Sequence, residues 1–200
     1  EVARCCQAEI AGLVMHPGAH NGEGEARGIK RIAEAFGRIH DKIGDRLVRT
    51  LLEITAGQGT NLGYRFQHLA DIMSAADRTL PLGVCLDTCH LFAAGYDIAT
   101  EEGYAAMMTE IESTVGMESI RCIHMNDSKK PLGSRVDRHE HIGKGEIGRS
   151  AFARLINDPR PAGVPMILET PKEQDDRGRD MDRVNLALLR KLDRTRGVER

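Results

Sequence analysis

A chain of 200 residues with 40% hydrophobic and 29% charged side chains and a formal net charge of −2 is long enough for one ordinary domain with a sizeable core. Having no overall positive charge, it can meet nucleic acid only through a local basic patch. No apolar run approaches the roughly 18 residues of a membrane span, and no leader pattern opens the chain. Glu1 reads as a cut, so the 200 residues are expected to be a piece of a longer protein. Cys5, Cys6, Cys85, Cys89 and Cys122 show neither CxxC nor disulfide-scaffold spacing, which fits a reducing cytoplasm. Cys85 and Cys122 lie inside apolar runs and are expected to act as small buried hydrophobes. Cys5 and Cys6 have no second pair nearby to complete a thiolate metal site.

The chain opens on a helical tail, Glu1 to Ile10, and then alternates. Leu13-Val14-Met15 reads as a strand ending at His16, followed by a helix whose inner stripe is Ile29, Ile32, Phe36, Ile39 and Ile43. Leu51-Leu52 ends at Glu53 and is followed by the stripe Leu69, Ile72, Met73 and Ala76. Val84-Cys85-Leu86 ends at Asp87. Tyr104, Met107, Ile111 and Val115 form the next helix face, with Thr100 as N-cap and Glu101 and Glu102 in the first turn. Arg121-Cys122-Ile123 ends at His124, ahead of Phe152, Leu155 and Ile156. Met166-Ile167-Leu168 ends at Glu169, ahead of Met181, Val184, Leu188 and Leu192. Strand–helix alternation predicts a parallel sheet in a single α/β domain over 1–200. A closed barrel needs eight strands and five are visible, so either the sheet is open or three units lie upstream.

The five strand ends all carry residues that metals favour, spaced 34 to 45 residues apart, the length of a strand–helix unit. In a parallel barrel the strand ends converge on one face. Two histidines and three carboxylates meeting there would form a hard-to-borderline metal site. Four more candidates follow. Asp87-Thr88-Cys89-His90 places an imidazole three residues beyond a carboxylate. Asp137-Arg138-His139 places Asp137 and His139 on one side of an extended segment. His20, across a Pro-Gly turn from His16, suits a supporting hydrogen bond better than ligation. His40, His68 and His141 read as surface or packing histidines. The loops Gly57-Gln58-Gly59 and Gly143-Lys144-Gly145 lack nucleotide-binding spacing and bring backbone close to some partner, a phosphate being one candidate. Lys129, Lys130, Arg135, Arg138 and Lys144 crowd one segment beside the presumed metals, which favours a polyanionic substrate.

These residues resemble the endonuclease IV family of zinc-dependent apurinic/apyrimidinic endonucleases. The resemblance rests on Gly83-Val84-Cys85-Leu86-Asp87-Thr88-Cys89-His90 through Asp97, and on His124-Met125-Asn126-Asp127-Ser128-Lys129 through Ser134 to His139 and Gly143 to Gly148. His16-Pro17-Gly18, Glu53 to Gly59 and Leu168-Glu169-Thr170-Pro171 agree, in the same order along the whole chain. It implies a TIM (β/α)8 barrel of which this chain holds the last five βα units, strands four to eight. It also implies a DNA-repair enzyme that hydrolyses the phosphodiester 5′ to an abasic site in double-stranded DNA and leaves a 3′-hydroxyl. The implied enzyme is bacterial-type and cytoplasmic, has no membrane association and is monomeric when complete.

Carried over by motif, His16 would bind one zinc and Glu53 would bridge it to a second, whose shell Asp87, His124 and Glu169 complete. His90, Asp137 and His139 would hold a third. His20 falls outside this set. Glu53, Asp87 and Glu169 are the implied catalytic carboxylates, and Arg135, Arg138, Lys144, Lys129 and Gln58 the implied DNA contacts. Such shells also accept manganese or iron. The family's first three strands, with one further histidine ligand, have no counterpart in this sequence. Two alternatives compete: a metal-dependent sugar isomerase or epimerase barrel, which has no use for Asp137 and His139, and a non-catalytic truncated relative.

Overall fold

The computed structural model describes residues 1–43, 48–76 and 81–194, except the side chain of Ile43, which lies outside the described set. A short helix, α1 (Val2–Gln7), precedes β1 (Gly12–Met15), α2 (Glu25–Ile43), β2 (Arg49–Glu53), α3 (Phe66–Ala75) and β3 (Leu82–Asp87). Then come α4 (Thr88–Ala94), α5 (Glu101–Thr114), β4 (Ile120–His124), β5 (Asp127–Ser128), β6 (His139–Glu140), α6 (Arg149–Ile156), β7 (Met166–Ile167) and α7 (Met181–Leu192). Five strands pair in parallel in the order β1-β2-β3-β4-β7, and β5 and β6 form a separate antiparallel ribbon. All five predicted strands and all five predicted helical stripes are present.

The central strands β2, β3 and β4 bury different residues on their two faces. Leu52, Ile54, Val84, Leu86, Ile123 and Met125 point toward the helices and join Phe36, Phe66, Leu69, Ile72, Met108, Ile111 and Phe152 in the main core. The alternate residues Leu51, Cys85 and Cys122 form a smaller cluster with Val14 on the opposite face. Both faces of the central strands are therefore apolar, as expected of a parallel sheet. Cys85 and Cys122 are fully or almost fully buried, as their apolar flanks predict.

Local signals set the ends of the elements. Thr100 caps α5 by accepting from Gly103 N at 3.2 Å, with Glu101 and Glu102 in the first turn. Asp180 caps α7 through Arg183 N in the same way. The initial helix is shorter than the Glu1–Ile10 tail that the sequence suggests. Glu9 takes a positive φ of 54° just after Gln7, which turns the chain into β1.

Candidate metal centre

The two-residue period of a strand puts Glu53, Asp87 and His124 on the same face as Leu51, Cys85 and Cys122, one step nearer the C-terminal end. Asp87 and His124 are direct partners in the β3–β4 register. His16 follows β1 and Glu169 lies just beyond β7. His124 Nδ1 lies 2.9 Å from Glu53 Oε1, 3.0 Å from Glu169 Oε2 and 3.8 Å from Asp87 Oδ2. His16 Nε2 lies 3.4 Å from Glu53 Oε2. Glu53, Asp87, His124 and Glu169 thus offer four donor atoms within 4.8 Å of one another. Ligands about 2.1 Å from one ion stand roughly 3.4 Å apart in a tetrahedron, so these contacts already lie near coordination spacing.

Beside this group, Asp137 faces two imidazoles. His90 Nε2 lies 3.1 Å from Asp137 Oδ2, and His139 Nε2 lies 3.3 Å from Asp137 Oδ1. The other nitrogen of each ring is committed: His90 Nδ1–H donates to Ile54 O at 3.0 Å, and His139 Nδ1–H to Glu169 O at 3.1 Å. Carbonyl acceptors fix the protonated nitrogen, and this is the usual second partner of a metal-ligating histidine. Both Nε2 atoms are buried, yet neither makes a hydrogen bond. They sit close enough to Asp137 for charge attraction but off the line a hydrogen bond requires. Orphaned imidazole nitrogens converging with a carboxylate are the donor set of a divalent ion, and the residues fit one.

Polar partners lock the carboxylates. Asp87 Oδ1 accepts from His90 N at 2.8 Å as the N-cap of α4, and Asp87 Oδ2 accepts from Asn126 Nδ2 at 2.6 Å. Asn126 Oδ1 accepts from Glu169 N at 2.9 Å, tying the end of β7 to the same amide. Thr88 Oγ1 takes a hydrogen bond from Asn126 N at 2.8 Å. Asp127, fully buried, accepts from Ser128 N, Gly143 N and Ile147 N and folds the 143–147 loop against β5. Asn185 of α7 donates to Thr170 Oγ1 at 3.0 Å and pairs with His141 Nδ1, bracing the segments that carry Glu169 and His139. Asn126, Asp127 and Asn185 received no role from the sequence. The signal available for the first two was a polar pair beginning two residues after the strand-end ligand His124.

Burial and charge oppose one another here. Burial favours neutral Glu53, but the hydrogen bond from His124 and the nearby His90 imidazole outweigh it and hold the carboxyl down to about 2. Burial likewise favours neutral imidazoles, yet Asp87, Asp137 and Glu53 push His90 up to about 11. His124 is pushed up to about 12 against its burial by Cys122, Glu169 and Glu53. Asp87, enclosed completely, is raised because burial exceeds the attraction of His90 and His139. Asp137 falls well below the usual carboxylate range through His139 and His90. With protons in place of metal the cluster is a set of buried ion pairs.

The predicted basic residues lie on the surface, in the 129–144 segment that also carries Asp137 and His139. Arg135, Arg138, Lys129 and Lys144 are exposed, as is Gln58. The Arg135 guanidinium lies 4.7 Å above the Tyr64 ring, and its residue has a positive φ of 52°. Gln58 Oε1 accepts from Asp137 N at 3.4 Å, so the Gly57–Gly59 loop touches the Asp137 segment. Lys129 Nζ lies 3.9 Å from Glu140. The two glycine loops approach the protein's own groups: a Cβ on Gly57 would fall 2.9 Å from Tyr64 Cβ, and one on Gly145 2.3 Å from Ser128 O. His20 Nδ1 accepts from Gly22 N at 3.2 Å and so orders a turn. His68 and His141 are buried, as packing histidines should be, the latter 2.7 Å from Glu173 Oε1.

A parallel α/β sheet whose strand ends gather histidines and carboxylates matches part of a TIM barrel of the metal-site type. The family model described as "Xylose isomerase-like TIM barrel" matches residues 1–192. A probable endonuclease 4 from Chloroflexus aggregans is 54% identical over 194 residues, 96% of this chain and 66% of the relative. Another, from Citrifermentans bemidjiense, is 49% identical over 192 residues, 96% of this chain and 67% of the relative. The crystal structure of endonuclease IV from Thermus thermophilus superposes with a TM-score of 0.78 at 35% identity, over 96% of this chain and 64% of that one. The chain belongs to the endonuclease IV family of these barrels. It spans about two thirds of the length of the relatives it matches.

Proposed function

We propose that the protein hydrolyses double-stranded DNA at abasic sites, cutting the phosphodiester 5′ to the lesion to leave a 3′-hydroxyl, with three zinc ions as cofactors. The observation that carries this reading is the Asp137 carboxylate set between the orphaned Nε2 atoms of His90 and His139, next to the four-residue group around Glu53. His16 and Glu53 would hold one ion, Glu53, Asp87, His124 and Glu169 a second, and His90, Asp137 and His139 the third. Divalent ions bound there supply a nucleophile from water near neutral pH and neutralise charge on the phosphate oxygens.

The chain's own groups do the rest. Glu53 is shared between His16, His90 and His124, so its carboxylate fixes the spacing of neighbouring parts of the site. Asn126 and the Ile54 and Glu169 carbonyls hold Asp87, His90 and His139 in one orientation, which removes reorganisation from the reaction. Arg135, Arg138, Lys144 and Lys129, with Gln58, would grip flanking phosphates and position the duplex without reading its sequence. A cytoplasmic enzyme acting on chromosomal DNA fits this set.

The competing sugar isomerase or epimerase reading shares the barrel but has no use for Asp137 and His139 or for the basic rim. The test is an assay of the intact gene product on a duplex with one abasic site, with and without a strong chelator. A chelator-sensitive nick 5′ to the lesion is expected. No nick from protein with zinc bound would overturn the reading.

A further inference from the structure

Below the carboxylates, one step down the inner face of the sheet, lie two thiols with no part in the proposed nuclease site. Cys85 and Cys122 are direct partners across β3 and β4. Cys85 is 0% and Cys122 3% exposed. With an imidazole nitrogen of His124 their sulfurs form a group in which all three atoms lie within 4.8 Å of one another.

We propose that in the metal-stripped protein Cys85, Cys122 and His124 form a site for one soft divalent cation of the zinc and cadmium class, sharing His124 with the group around Glu53. Two sulfurs bound at about 2.3 Å to a common ion can be up to about 4.6 Å apart, so small side-chain rotations suffice to close the site. Leu51 and Val14 pack hydrocarbon side chains against the two cysteines, with Glu53 and Asp87 one strand step beyond. Sulfur and nitrogen donors in a dry apolar setting select thiophilic ions over magnesium or calcium. Charge favours a divalent ion over a monovalent one. Two thiolates balance its charge and leave a neutral buried unit, whereas a monovalent ion would leave a net negative charge beside Glu53 and Asp87. On binding, two metal–sulfur bonds and one metal–nitrogen bond form, and the two thiol protons and one imidazole proton of His124 pass to solvent. No oxidant or reductant is required.

This site stands whether or not the nuclease reading holds, because its readout is sulfur ligation and not DNA cleavage. The intact gene product, stripped of metal and kept reduced by a phosphine, is titrated with Cd2+ while the ultraviolet thiolate-to-cadmium charge-transfer band is followed. One equivalent per chain should develop the band, since cadmium bound only by His and carboxylate groups gives none. Two variants with opposite expectations assign it. In Cys85→Ser/Cys122→Ser the band should disappear. In Cys5→Ser/Cys6→Ser/Cys89→Ser, which leaves Cys85 and Cys122 as the only cysteines of these 200 residues, it should remain at one equivalent. X-ray absorption on the unsubstituted protein should give two sulfur neighbours per cadmium, independently of how either variant folds. No band or no sulfur neighbours in the unsubstituted protein, a band that survives Cys85→Ser/Cys122→Ser, or one lost from the folded triple variant would each overturn the proposal.

Discussion

Asn126 Nδ2 donates to Asp87 Oδ2 at 2.6 Å, and neither residue has any exposed surface. Because Asn126 Oδ1 also accepts from Glu169 N, a single amide spans the ends of β3 and β7. Replacing Asn126 with Ala leaves a buried carboxylate oxygen and a backbone N–H without partners, at a cost of about 1–3 kcal/mol. Losing an outer partner of this kind lowers metal affinity by about 10–100-fold. Melting curves and a zinc titration against a competing chelator measure the two effects. A variant with unchanged affinity would show that Asn126 serves packing alone.

Asp137 is the carboxylate between His90 and His139, and Asp137→Asn removes its charge while keeping its size. In the nuclease reading this should lower kcat by more than about 100-fold, beyond the usual loss from an outer partner, and cost one of the three bound zinc ions. Affinity for abasic duplex should stay within a few-fold. Metal analysis beside single-turnover kinetics tests this, and equal losses in turnover and affinity would assign Asp137 to binding instead.

The metal-free cluster predicts a particular pH profile. His90 and His124 have folded values of about 11 and about 12, above the ordinary 6.5, so their stabilisation is complete below 6.5 and is lost as pH rises toward those values. Glu53, held at about 2 against an ordinary 4.5, stabilises fully above 4.5 and loses that contribution as pH falls toward 2. Asp87, raised by burial, acts in the opposite sense and destabilises as pH climbs through its range. Melting temperature without metal should therefore peak at roughly pH 5–6.5 and decline on the alkaline side. Ligating metal replaces the imidazole protons, so zinc should flatten the alkaline decline and release protons on binding. Calorimetry in buffers of different ionisation enthalpy counts those protons; a count of zero at about pH 7 would contradict the ion-paired state.

The strand ends were legible because the parallel sheet imposes its geometry: a period of two and a common direction bring Glu53, Asp87 and His124 to one edge wherever the helices lie. His90 was legible for a local reason, since Asp87 caps the helix that carries it. Asp137 and His139 were weaker, because their loop meets the site through contacts distant in sequence, such as Gln58 with the Asp137 amide. Asn126 and Asn185 were not legible as supports. An asparagine looks the same in a sequence whether it faces solvent or bridges two buried groups, and only the fold decides. The glycine loops were legible as close approaches of backbone, and the structure adds the neighbours on the protein side: Tyr64 at Gly57 and Ser128 at Gly145.

Gly145 tests how far the 143–147 loop supports the site. A Cβ there would fall 2.3 Å from Ser128 O and 2.6 Å from Asp127 Oδ1, with backbone as the nearer obstacle. Gly145→Ala must therefore push the loop away from β5 and strain the hydrogen bonds from Gly143 N and Ile147 N to Asp127. Overpacking of this kind costs about 1–3 kcal/mol, visible as a lower melting temperature. The loop also carries Lys144, proposed to grip a phosphate, so the same change should weaken binding to any duplex regardless of sequence. Lys144→Ala leaves the backbone path open and should reduce the salt dependence of binding by about one counterion, with little loss of stability. If Gly145→Ala destabilised the protein without affecting DNA binding, and Lys144→Ala left the salt slope unchanged, the loop would be a structural strut and the phosphate grip would belong to Arg135 and Arg138.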